Sequence, residues 1–183
     1  MELKIWTKTF FSVYRILNKL ASSIDKFVEI KAYSSFYTSI ANLPANNMMK
    51  VSEDLTCLIN KKITLINIKL LTEKILANIG EEYARFIILR YIENKKFCEI
   101  SEALHISIRT ALRWNNSSLE SSAKTLRENG FNVDKIKKLV NNEKWLFEVY
   151  EKLKVEAVQK HQSQTIYSSI LKSATKEYRS FSC

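Results

Sequence analysis

Arg109 and Arg113 stand four residues apart, a spacing that brings two guanidinium groups to one side of a helix. Each presents a planar fork of N–H donors that suits paired acceptors, such as a guanine edge or a phosphate. Thr110 and Asn116 flank them with further polar groups, and Lys95 and Lys96 lie a short way upstream. Lysine there supplies the flexible charge that holds a phosphate backbone without reading it. Ser107 is the type of residue that caps a helix start, its hydroxyl accepting from an orphan backbone N–H, and Ile108 follows as the first helical position. These residue types point to recognition of a polyanion.

Residues for bond-making chemistry are sparse. The chain has two histidines, His105 and His161, and three cysteines, Cys57, Cys98 and Cys183, which are far apart and without a CxxC spacing. No disulfide framework or zinc site is expected from them. The sequence holds no phosphate-cradling glycine loop. Glu53-Asp54 and Glu81-Glu82 are adjacent acids, whose side chains diverge on a helix and whose place near helix starts accounts for them. The chain is therefore not expected to be an enzyme, and no cofactor and no metal is called for. Lysine and arginine number 29 against 19 acidic residues, a net charge of +10. That excess fits either a solvated basic surface or a nucleic-acid partner, and its location has to decide.

The elements that carry these residues follow from spacing. With two glycines and one proline in 183 residues, strands would lack their turns, so the expected fold is all-α, long helices joined at few places. A first helix is expected from about Trp6 to Ala32, with a seam at Phe10, Val13, Leu17, Leu20, Ile24 and Phe27 that packs on the chain's own core or pairs with a second copy. Residues 33–50, with Asn42, Pro44, Asn46 and Asn47, read as a loop. A second helix from Ser52 to Ile79 carries Leu55, Ile59, Ile63, Ile66 and Leu70, completing a long N-terminal hairpin. Within it, Ile63–Ile68 is β-branched enough for a strand, but its flanks are helical. Gly80 is expected to close the second helix in a left-handed cap. Helices over 81–92, 97–104 and 108–128 follow, then Gly130 as a second closing glycine and Asn132 as an N-cap. One more helix is expected through Ile136, Leu139, Val140, Trp145, Val149 and Leu153, with a polar tail after Gln159. Three regions result: 1–70 helical, 71–130 carrying the arginines, and 131–183 as C-terminal helices. No run reaches the roughly 18 uncharged apolar residues of a membrane span. The N-terminal apolar run is broken by Lys8, Arg15 and Lys19, unlike a secretory signal, so a cytoplasmic protein is expected.

Around the arginines the spacing predicts two tight corners. Asn94 and His105 fall where a chain leaving a helix needs a left-handed residue, a conformation both tolerate better than most. Phe97, Ile100 and Leu104 face inward, Ser101 and Ala103 are small enough for another helix to approach, and Ile106 plugs the gap. The frame Arg90-Tyr91, Asn94, Glu99-Ile100-Ser101, Leu104-His105-Ile106-Ser107 and Thr110-Ala111-Leu112-Arg113 resembles region 4 of bacterial sigma-70-type factors and the phage transcription regulators of the ArpU and RinA kind, over about residues 71–127. The resemblance implies a helix-turn-helix whose second helix enters the major groove of duplex DNA, with RNA polymerase as a further partner. This chain departs from the family in replacing both turn glycines, by Asn94 and His105, and in carrying Ile108, Arg109, Leu112 and Arg113 at the base-contact positions, so recognition of a −35 promoter element does not carry over. The first 70 residues do not match the DNA-melting region of a full sigma factor. The expected function is a sequence-specific transcription regulator of bacterial or prophage type. The alternatives are a DNA-packaging or recombination accessory, and a helical module that contacts polymerase through proteins alone.

Overall fold

A computed structural model describes the backbone of residues 2–40 and 45–159 and the side chains of residues 2–34 and 49–159. Every regular element among them is a helix: α1 (Glu2–Ile40), α2 (Ala45–Asn78), α3 (Glu81–Ile87), which passes into a π-helical turn (Ile88–Ile92), α4 (Phe97–Ala103), α5 (Ile108–Glu128), α6 (Val133–Leu139) and α7 (144–159). The all-α expectation holds, and Ile63–Ile68 is helical. None of these helices is long and apolar enough to cross a membrane.

α1 and α2 run antiparallel. Tyr14 donates to Glu73 at 2.7 Å, Asp25 pairs with Lys62, and Lys31 pairs with Asp54, so positions rising along α1 meet positions falling along α2. The main core draws on the near end of this hairpin and on the chain's second half together. Trp6, Phe10, Phe11, Val13 and Leu17 of α1 meet Leu65, Ile68, Leu71 and Ile75 of α2, Leu119 and Leu126 of α5, Ile136 of α6, and Leu146 and Tyr150 of α7. The Trp6 ring stacks on Tyr150 at 4.2 Å and meets Phe147 edge-on at 5.7 Å. The region boundaries expected at 70 and 130 fall within α2 and at the end of α5, and the core crosses both.

Several expectations need correction. The α1 seam is buried only through Leu17; Leu20 and Ile24 are half-covered, and Phe27 is 59% exposed. The α2 positions whose spacing marked the helix, Ile59, Ile63, Ile66 and Leu70, are exposed, and Leu55 is half-buried. The buried face is Thr64, Leu65, Ile68, Leu71, Thr72, Ile75 and Ile79. Spacing alone could not choose, because α2 is apolar on two opposite faces. The buried face includes threonines whose hydroxyls are satisfied locally: Thr64 donates to Asn60 O at 3.0 Å and Thr72 to Ile68 O at 2.7 Å.

The helices also consume most of the loop expected over 33–50, since α1 continues to Ile40 and α2 begins at Ala45. Residues 41–44 and the tail beyond Gln159 lie outside the described residues. Gly80 is not left-handed. At φ −54°, ψ 145° it is the extended N-cap of α3, whose first turn holds Glu81 and Glu82 against the helix dipole. The final long helix is two. Asn141 and Asn142 form the break, and buried Glu143 holds it by accepting from the Trp145 indole N–H at 2.7 Å.

Candidate nucleic-acid interface

Three helix ends around α4 and α5 are closed by left-handed residues: Asn94 (φ 58°), His105 (φ 52°) and Gly130 (φ 76°). At each, the following N–H reaches back into the helix: Lys95 to Leu89 O, Ile106 to Ser101 O, and Phe131 to Leu126 O. This closing pattern satisfies carbonyls that the helix leaves unpaired. It turns the chain sharply at 94 and at 105, and so determines how α5 leaves α4.

A small second core sets the corner. Phe86, Ile100 and Ala111 are fully buried, and Leu89, Phe97, Leu104, Ile106 and Trp114 pack around them. Glu99 accepts from the Lys96 backbone N–H at 2.6 Å, fixing the start of α4. Ser107 accepts from the Thr110 N–H at 3.1 Å and shares a hydrogen bond with the Thr110 hydroxyl at 2.9 Å, fixing the start of α5. Ser107→Ala is expected to cost about 1 kcal/mol, a fall of about 2–4 °C in melting temperature for a chain of this size. Thermal unfolding by circular dichroism measures it.

At 3.6 residues per turn, Arg109, Arg113 and Asn116 lie opposite buried Ala111, and all three are exposed. Neither arginine has an ion pair or side-chain hydrogen bond among the described residues. Ile108 and Leu112, exposed at 52% and 50%, border them. Further along the same face Lys4 of α1 pairs with Glu120 at 2.8 Å and holds its carboxyl below the usual pKa, and Lys124 and Arg127 beyond it are exposed.

The other expected site residues divide. Lys96 is exposed and unpaired among the described residues. Lys95 is half-buried and pairs with Glu93 at 3.1 Å, so part of its charge is already met. Ser107 and Thr110 spend their polar groups on the cap. Among the described residues no three His, Cys, Asp or Glu side chains are placed to share an ion.

Two contacts that spacing did not reveal position this face. Arg90 donates to Lys95 O at 2.8 Å, and its guanidinium lies over the Phe97 ring at 4.6 Å, joining the π-turn to α4. Tyr91 donates to Asn115 Oδ1 at 2.8 Å, joining the π-turn to α5. The only hint in the sequence was the adjacent Arg90-Tyr91 pair; the π-turn that aims them left none. Burial pushes the Tyr91 hydroxyl up to about 12, outweighing the opposing pull of Arg90 and Asn115. A raised pKa means that the folded state keeps a proton which the unfolded chain releases near 10. The contribution is therefore whole below pH 10 and is lost as pH rises toward 12. Tyr91→Phe should flatten this alkaline loss when melting temperature is followed from pH 9 upward, measured against wild type.

Comparison of the chain with family models, with characterised proteins and with solved structures finds no match.

Proposed function

We propose that the chain is a sequence-specific regulator of transcription that binds duplex DNA through α5, of the bacterial or prophage kind, acting in the cytoplasm. The observation that carries this reading is the pair of exposed arginines, unpaired among the described residues, near the start of a capped helix. Arginine is the side chain best matched to guanine O6 and N7, and the N-terminal part of such a helix is what enters a major groove. Lys96, and more weakly Lys95, would hold phosphates at its flank, and Asn116 would lie within reach of bases or backbone. Ile108 and Leu112 suit thymine methyl groups. The net charge of +10 supports the same partner, as does the resemblance to sigma region 4.

A second reading has one observation in its favour. Exposed Ile108 and Leu112 would also suit a protein partner, and RNA polymerase is the one the resemblance suggests. Selection of bound fragments from random-sequence duplex DNA separates the two. A binding protein of the first kind enriches a common sequence, and the Arg109→Ala/Arg113→Ala chain does not. Recovery of unrelated fragments by both chains would favour the second reading.

A further inference from the structure

α2 has an apolar face that the described residues do not cover. Ile59, Ile63, Ile66 and Leu70 are 47%, 49%, 39% and 56% exposed, on the side of the helix opposite the buried Leu65, Ile68 and Ile75. Isoleucine and leucine left in water along one stripe cost free energy that a partner surface would recover. The spacing of the four is 4, 3, 4, which is a coiled-coil seam. It also reads the same in both directions.

We propose that this face pairs with the same face of a second copy, antiparallel about a two-fold axis between Ile63 and Ile66. The symmetric spacing makes the stripe its own complement. Ile59 of one copy meets Leu70 of the other, and Ile63 meets Ile66, as an isologous interface requires. Charge favours a second copy over other occupants. One edge of the stripe is formed by the uncharged Asn60 and Asn67. On the other edge, Lys62 and Lys69 are already paired with Asp25 and Glu73 of their own chain. A chain of net charge +10 repels itself over most of its surface, and the stripe lies where that repulsion is locally cancelled. A nucleic acid or an acidic protein would need unpaired cations along these edges, and between Ile59 and Leu70 both edge lysines are engaged; Lys74, the next position of the asparagine row, lies one turn beyond Leu70. The pairing does not depend on the DNA reading; where that reading holds, a two-fold dimer presents two copies of α5 to a symmetric site.

Sedimentation equilibrium of the full chain without DNA tests the proposal. Wild type should be a dimer at micromolar concentration. Ile63→Lys/Ile66→Lys should weaken association by about a hundred-fold or more, converting the chain to monomer. Its helical circular dichroism should be unchanged, because both side chains are exposed in the single chain, while its melting should lose the concentration dependence that a dimer confers. Phe27→Lys, an equally exposed apolar position on α1, should leave the dimer intact. For register, a chain with Cys57, Cys98 and Cys183 changed to serine and carrying Ile59→Cys with Leu70→Cys should cross-link to a covalent dimer on mild oxidation. Ile59→Cys alone should not, since its two copies lie far apart along an antiparallel pair. A monomeric wild type, a dimer that survives the lysine pair, or cross-linking by Ile59→Cys alone would each overturn the proposal. The lysine and cysteine variants fail independently, so a misfolded variant in one arm does not excuse the other.

Discussion

Trp6→Ala should destabilise the whole chain by about 3–5 kcal/mol. That is a large share of the 5–15 kcal/mol typical of a folded domain. Trp6 is fully buried and touches Phe10 on its own helix as well as Tyr150 and Phe147 on α7. Its removal opens a cavity between the first helix and the last described one. Such a cavity loosens α1, and with it the Lys4–Glu120 contact that joins α1 to α5. A fall in melting temperature of more than about 6 °C is expected, as one transition monitored by circular dichroism. Trp6→Phe should cost much less, because the indole N–H it deletes is buried without a hydrogen-bond partner among the described residues. A Trp6→Ala chain that melts within 2 °C of wild type would mean that α1 and α7 do not share a core; that margin is about the effect of 1 kcal/mol or less.

Arg109→Ala and Arg113→Ala should each weaken duplex binding by about 1–3 kcal/mol, and together should abolish sequence preference. Both side chains are exposed and unpaired among the described residues, so thermal stability should stay within about 0.5 kcal/mol of wild type. Lys96→Ala should instead weaken binding to every duplex alike and lower the salt dependence by about one counterion. Lys95→Ala should do the same to a smaller degree, because Glu93 already engages that lysine. Competition titrations with specific and random duplexes, at several salt concentrations, separate these effects. Arginine variants that bind as well as wild type would reduce the α4–α5 corner to a structural element.

The parts of the fold legible in the sequence were those set by local chemistry. Ser107 and Asn132 were readable as N-caps because few other side chains can accept from the first turn. Asn94, His105 and Gly130 were readable as left-handed closures because other residue types resist that conformation. The exposure of Arg109 and Arg113 followed from Ala111, which had to face the neighbouring helix. What escaped the sequence depends on partners distant along the chain. Ile63, Ile66 and Leu70 match a core-facing stripe as well as Leu65, Ile68 and Thr72 do, and only the positions of α1 and α5–α7 decide between them. The break at Asn141-Asn142 carried turn residues, but the apolar spacing continued across it. The pairing of Lys95 with Glu93 and the bond from Tyr91 to Asn115 follow from the tight turn at Asn94 and from a π-turn that no residue announces.

The proposed binding of duplex DNA by α5 is tested by the fluorescence anisotropy of a labelled random-sequence duplex titrated with the full chain at low salt and then at rising salt. Saturable binding is expected at low salt, with a logarithmic affinity that falls linearly against the logarithm of salt concentration as phosphate contacts release counterions. Lys96→Ala should show a smaller affinity and slope at every point. A wild-type chain that leaves the anisotropy unchanged at the lowest salt would rule out duplex binding.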